Sequence, residues 1–316
     1  MTNEKSIIHA YIFAGITFIL SIYIFPYYIS GDQLHYRLFY EEIKNFSIAS
    51  GFIAYRNYLG ASEPVYFFIV YFFSGLIEKD FLFSIINCCF AFFLAKNMLK
   101  LRIWIPLLYI SLFNFYFIVL LFSAERLKLS LLFFLIAILY KNSFKQYTFL
   151  FLTVFSHFQS LVLVYVEKFN ELKTQIVHYF RQGNLFKIFL TIAVVVGFAA
   201  VLFFMRGYLQ DKLLAYSERG GIENIIKPII FCVLAMYYSK EKLLDVFLMF
   251  LPLIFSSVIV GEERIVIFCY AIFMYFAIQI KEGRNLGVML TSMYFIYKGY
   301  EFISNIMING NGFDNG

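Results

Sequence analysis

Apolar residues fall along this chain in long blocks rather than in alternation. Near-continuous apolar stretches cover 7–29, 64–78, 81–95, 103–122, 127–140, 147–166, 187–205, 225–239, 243–261, 265–280 and 286–306, with short polar links between them. Alternation with a period of two would mark half-buried strands. Unbroken blocks approaching about 20 residues instead match helices that cross a hydrocarbon core of about 30 Å. The pattern predicts an all-α, polytopic integral membrane protein with about eleven apolar segments. Blocks such as 64–78 and 81–95 hold about fifteen residues, too few to cross alone. They predict broken or re-entrant helices, which are tolerated where they face protein or water rather than lipid. The sequence shows no internal repeat and no polar stretch long enough for a second domain, so residues 1–316 read as one transmembrane domain.

Charge in the links predicts orientation. Lys240–Lys242 and Lys281–Arg284 are basic, whereas the tail NGNGFDNG carries no positive charge, so the positive-inside rule puts the links in the cytoplasm and the tail outside. The 206–227 link and the GEER turn at 261–264 then face outward. The basic links 141–145 and 167–187 both read as cytoplasmic, which requires 147–166 to enter and return with a bend near His157. A cytoplasmic KNMLKLR (96–102) together with an external 30–63 loop demands one more broken segment.

Composition sharpens the class. Hydrophobic residues make up 62% and charged residues 15% of the 316, against about 25% charged in a soluble domain. The mean hydropathy is +0.77. Lys+Arg (26) exceed Asp+Glu (20), which suits membrane anchoring, and no basic stripe of a nucleic-acid binder is present. Cys88, Cys89, Cys232 and Cys269 lie inside apolar blocks and read as small hydrophobes, not as a disulfide framework. The 7–29 block is longer than a signal-peptide core and lacks a small-residue cleavage site, so it is expected to remain as the first helix.

Polar residues inside or between apolar blocks ask for a reason. Glu125, Arg126 and Lys128 separate 103–122 from 127–140 with no Gly, Pro or Asn to make a loop. They mark either a turn at the lipid headgroups or a site where Arg126 faces an anion, because a charge at membrane depth persists mainly with a partner or a watery cavity. His157 sits mid-block in FSHFQSL, where the topology independently requires a bend. Glu262, Glu263 and Arg264 form a second charged knot, and Arg219 lies in a link rich in Tyr and Gly. Arg126, Arg219 and Arg264 on one side of the membrane suit a shared polyanion site, since guanidinium binds phosphate oxygens bidentately and keeps its proton. Asp32 after Gly31 reads as a helix cap, Tyr36 and Tyr40 as one face of a surface helix, and Glu63-Pro64 as a helix start. No phosphate-binding glycine loop or metal-ligand spacing occurs, so no nucleotide, metal or other cofactor is expected.

In order along the chain, SGDQLHY (30–36), EPVY (63–66), ERLKLS (125–130), SHFQS (156–160) and EERIVIFCY (262–270) form a series of short motifs. This series resembles the EpsG-like, Wzy-type polymerases of bacterial exopolysaccharide, capsule and O-antigen synthesis. Gln33, Val65 and Leu127 depart from the family's Tyr, Gly and Gln. The resemblance implies a glycosyltransferase in the bacterial inner membrane that joins undecaprenyl-diphosphate-linked oligosaccharide repeat units on the outer face. It implies lipid and lipid-linked sugar as partners, with a chain-length regulator as a further one. His157, Asp32 and Glu63 would be its catalytic residues. Arg126, Arg264, Arg219, Tyr36, Tyr66 and Glu263 would hold diphosphate and sugar. The alternatives are a polysaccharide or lipid flippase, another secondary transporter, or a membrane acyltransferase.

Overall fold

The computed structural model describes residues 3–141, 143–182, 222–240, 242–260 and 262–313, and every regular element among them is helical. The chain gathers into two units, residues 1–161 with 278–316, and residues 162–277.

In the first unit, α1 (Asn3–Ile24) is followed by α2 (Asp32–Glu42), α3 (Ile48–Leu59), α4 (Pro64–Phe73) and α5 (Lys79–Lys100). α1 and α5 pack antiparallel: the Tyr11 ring meets Phe92, Phe18 meets Phe81, and Asn87 Nδ2 donates to Ser21 Oγ at 2.9 Å. The start of α1 therefore shares one end of the unit with the finish of α5. α2, α3 and α4 all gather at the other end. There Arg37 donates to Phe25 O at 2.7 Å and to Asp80 at 3.0 Å, and Tyr40 Oη donates to Ile77 O at 2.7 Å. The 64–78 block holds only the short helix α4, whose flanking Glu63 and Lys79 both lie at this end.

The 103–122 block divides into α6 (Ile105–Ile110), a 3-10 turn (Ser111–Phe113) and α7 (Phe115–Phe122), bent by 55°. Asn114 makes the break, because its side chain caps α7 by accepting from Tyr116 N at 3.0 Å and Phe117 N at 3.4 Å. α8 (Glu125–Leu139) runs toward the α5 finish, where Asn97 Nδ2 donates to Leu135 O at 3.1 Å. α9 (Phe144–Ser156), capped by Ser143, comes back beside it, with Ser130 Oγ donating to Thr153 O at 2.7 Å. The helix breaks at His157, which is extended (φ −162, ψ 112), as the topology required.

The second unit holds α10 (Leu161–Gln182, from Val162 onward), α11 (Ile226–Ser239), α12 (Leu243–Val260, with Pro252 inside it) and α13 (Glu262–Ile278) among the described residues. Phe231 of α11 packs on Tyr270 and Phe273 of α13. Back in the first unit, Trp104 N donates to Glu282 O at 2.9 Å, and α14 (Leu286–Asn309) then carries the chain to the opposite end. There Gly310 O accepts from Ile29 N and Ser30 N at 3.1 and 3.0 Å.

Among the described residues two helices are long and apolar enough to cross a membrane, Ser6–Tyr27 and Lys79–Lys100, and counting each of two bent pairs as one span gives four. This corrects the expectation of about eleven segments. Apolar blocks do not translate one for one into spans: α4 keeps 10 residues, α8 15 and α9 13. The 187–205 block lies outside the described residues.

Candidate functional site

Lys96, Lys100, Arg102, Lys141, Lys145, Lys281 and Arg284 all belong to one end of the first unit, and all are exposed. The opposite end also has exposed charges, among them Asp32, Glu41, Lys44 and Arg56, but it holds a further set of charges inside. Glu125 and Lys128 are fully buried, Lys79 and Glu63 are 3% exposed, His157 4% and Arg126 6%. Such burial corrects the headgroup-turn reading of Glu125, Arg126 and Lys128, because a turn among headgroups leaves its charges wet.

α8 begins with two adjacent residues that serve two different networks. Glu125 Oε1 accepts from Lys79 Nζ at 2.7 Å and Gln33 Nε2 at 2.9 Å, and its Oε2 accepts from Tyr66 Oη at 2.7 Å. Lys79 also donates to Gln33 Oε1 at 2.6 Å. One carboxylate therefore ties α2, α4 and α5 to the first turn of α8, where an acid also suits the helix dipole. Beside it lies the blunt end of α7. Its last carbonyls are met by side chains: Leu121 O accepts from Lys128 Nζ at 2.9 Å and Asn87 Nδ2 at 3.2 Å, and Phe122 O accepts from Gln33 Nε2. Lys128 lies 5.9 and 5.2 Å from the centroids of the Phe25 and Phe83 rings. These cations have structural employment. Isolated in an apolar interior they would be prohibitive; paired and hydrogen-bonded they are affordable.

Arg126 serves the second network. Its Nη1 donates to Glu63 Oε2 at 3.0 Å, and Glu63 Oε1 stands 3.3 Å from His157 Nδ1. Ser62 N and Tyr55 Oη also donate to Glu63 Oε2, at 3.1 and 3.4 Å, and His157 Nε2 stands 3.0 Å from Gln159 Oε1. Tyr36 lies against the guanidinium. Burial alone would raise the Glu63 carboxyl, but the Arg126 guanidinium and His157 outweigh it and hold the group well below the usual carboxylate range. Arg126 Nε is buried and has no hydrogen-bond partner. A buried donor left unmet costs about 1–3 kcal/mol, so this one marks a place for an acceptor.

No family model, curated protein or solved structure matches the chain. The site therefore has to be read from its own geometry.

Of the residues singled out in the sequence, Glu63, Arg126 and His157 come together, with Tyr36 beside them. Pro64 opens α4, as expected, but Glu63 turns inward to the ion pair and makes no side-chain cap. Asp32 stands apart. Gly31 occupies the N-cap position, and Asp32 is the first helical residue, exposed, accepting from Ser123 Oγ at 2.6 Å. Its expected capping role is corrected: Gly31 takes a left-handed φ of 61, and a Cβ there would sit 2.5 Å from Asn311 Oδ1. Tyr66 is 1% exposed with its hydroxyl on Glu125, so its ring faces protein rather than a sugar. Arg264 is half-buried in the first turn of α13, in the second unit. Arg219 and the Glu263 side chain lie outside the described residues.

Sequence reasoning missed Lys79 and Tyr55, and gave Gln33 and Gln159 no role of their own. The signal for Lys79 was available: EKD (78–80) is a charged step between apolar runs with no loop-forming residue, like ERLK. Gln33 was noted only as a departure from a family motif, and its carbonyl oxygen takes the Lys79 ammonium.

Proposed function

We propose that this protein is a membrane glycosyltransferase of the inner membrane. It joins undecaprenyl-diphosphate-linked oligosaccharide repeat units on the outer face, and more helices cross the bilayer than length and apolarity alone select. The observation that carries this reading is the buried Glu63–Arg126–His157 triad with its unmet Arg126 Nε, at the end of the first unit opposite the larger cluster of exposed basic residues. By the positive-inside rule that end faces outward, where lipid-linked units are joined and nucleotide donors are absent.

Each group has a role that its contacts support. The lipid diphosphate of the growing chain is the leaving group, and negative charge grows on its bridging oxygen. Arg126 offers a fixed donor to that charge, already held by Glu63, so it does not reorganise as the reaction proceeds. His157 takes the proton of the acceptor hydroxyl, and Glu63 at Nδ1 fixes the ring and its tautomer. Asp32, exposed at the same end, is placed to meet the acceptor sugar rather than to act as the base. Other arriving partners are the membrane lipid itself and a chain-length regulator.

The test is incubation of purified protein with lipid-linked repeat units, followed by a gel. A polymerase gives a ladder of products. A flippase or other transporter moves units across liposomes and gives no ladder, and an acyltransferase changes the mass of a single unit.

A further inference from the structure

His157 is pinned between two side chains, and their chemistry differs. On Nδ1 stands Glu63, whose carboxylate can only accept; it already takes hydrogen bonds from Arg126, Ser62 N and Tyr55. Nδ1 therefore carries a proton. On Nε2 stands the side-chain amide of Gln159, at 3.0 Å. An amide can face a nitrogen with either its NH₂ or its oxygen. When the ring is neutral, Nε2 has a bare lone pair and needs the NH₂. When the ring is an imidazolium, Nε2–H needs the oxygen. Half a turn of one amide thus matches both protonation states of the ring.

Burial makes this contact consequential. His157 is 4% exposed and Gln159 is half-buried, so Gln159 covers the Nε2 edge. The backbone fixes the pair, because His157 is extended at the end of α9 and the 3-10 turn Phe158–Ser160 follows at once, with Ser160 N donating to His157 O at 3.0 Å. Among the described residues, the charged and titratable groups facing the ring include Glu63 ahead of α4 directly, and Arg126 of α8 and Tyr55 of α3 through Glu63.

We infer that Gln159 is a positioning residue that occupies His157 Nε2 at rest, yields it to the acceptor hydroxyl, and then stabilises the proton that the ring has taken. This rests on the polymerase reading for the identity of the hydroxyl, but the amide–imidazole coupling does not. In the step itself the hydroxyl O–H bond breaks and its proton bonds to Nε2. The oxygen's electron pair forms the new bond to the anomeric carbon. The bond from that carbon to the lipid diphosphate breaks, and its pair leaves on the diphosphate. The proton on Nε2 is later released to water.

The experiment uses full-length protein labelled with ¹⁵N-histidine in detergent micelles, with the His157 signals assigned by their loss in His157→Gln. In the neutral ring of the wild type, Nδ1 carries the proton and Nε2 is bare. A hydrogen bond to a charged partner is roughly twice as strong as a neutral one, so the amide favours the imidazolium. Gln159→Leu should weaken proton binding at His157 by about tenfold, and Gln159→Glu, which adds a carboxylate at Nε2, should strengthen it by about tenfold or more. The pH profile of polymer formation should move in the same two directions. A neutral ring with its proton on Nε2, or a titration unmoved in both variants, overturns the inference. A ladder that persists beside an unmoved titration sinks the role of Gln159 and leaves the polymerase standing. Opposite shifts without any ladder sink the polymerase and leave the coupling standing.

Discussion

Both ends of the first unit carry exposed charge, but among the described residues only one of them also holds a cluster of buried charge. At one end Lys96, Lys100, Arg102, Lys141, Lys145, Lys281 and Arg284 are exposed; Arg284 reaches Lys281 O at 3.4 Å and Glu282 at 3.5 Å, and Lys145 lies 5.3 Å from the Tyr140 ring. At the other, Glu63, Lys79, Glu125, Arg126 and Lys128 are buried, and Lys79, Glu125 and Glu63 each meet more than one partner. Exposed charges cost little to keep and contribute little individually. Buried charges are expensive, so they persist where several groups share the desolvation. The buried cluster marks a candidate site without any knowledge of the substrate.

The sharpest way to break this contrast is to remove one guanidinium from each end. Arg126→Ala should lower polymer formation by about 10²–10³, and it strands Glu63 as an unpaired buried charge. Arg126→Lys keeps the charge but loses the fork and should remain defective. Arg102→Ala should leave polymer unchanged. Ladder intensity is the measure, with protein abundance in the membrane followed by blot. Equal activity of Arg126→Ala and Arg102→Ala at equal abundance would erase the distinction between the ends.

The next effect is on stability and concerns the other residue of the α8 start. Glu125→Leu leaves Lys79 buried without its carboxylate, and Lys79→Met leaves Glu125 without its ammonium. Each should destabilise by about 3–5 kcal/mol. The double variant removes both charges at once and should recover much of that loss, since apolar replacement of a buried pair is often neutral. Thermal unfolding in detergent reads all three. Additive losses would mean that the two side chains do not act as a pair.

The legibility of these features in the sequence divides in the same way. Helical class, the exposed basic end, the shortness of the 64–78 helix and the break at His157 were all readable, because each follows from local hydropathy or from charge in the links. The span count was not, since a block of apolar residues does not say where a polar side chain such as Asn114 will cap and break it. In the site, Glu63, Arg126 and His157 were readable as costly residues in apolar surroundings. Their partition was not: nothing local says that Glu125 and Arg126, adjacent in sequence, face separate partners. Gln33 and Gln159 gave no signal, because an uncharged amide in a polar motif looks like any other until its neighbours are known.

A smaller effect tests packing between helices away from the charges. A Cβ on Gly299 of α14 would lie 2.2 Å from Phe113 O, a backbone atom just before the α7 cap, whereas a Cβ on Gly15 of α1 meets nothing within 4 Å. Gly299→Ala should destabilise by about 1–3 kcal/mol, because backbone must shift to make room. Gly15→Ala should be neutral or slightly stabilising through better helix propensity. A Gly299→Ala variant as stable as wild type would mean that α14 does not press on the α7 break.

The smallest expected change is at Asp32, which lies at the site end but is exposed like the charges of the opposite end. Its carboxylate accepts from Ser123 Oγ at 2.6 Å and sits in the first turn of α2. Asp32→Asn keeps an acceptor for Ser123 and loses only a charge near a helix N-terminus, worth about 0.3–1 kcal/mol. Unfolding should shift by no more than that loss implies. Polymer formation should fall by a severalfold factor at most, because the proposed proton acceptor is the buried imidazole rather than this exposed carboxylate. His157→Ala should be far more severe than Asp32→Asn at equal abundance. The reverse order would transfer the base from His157 to Asp32. It would also show that, in this protein, exposure does not separate an anchoring charge from a reacting one.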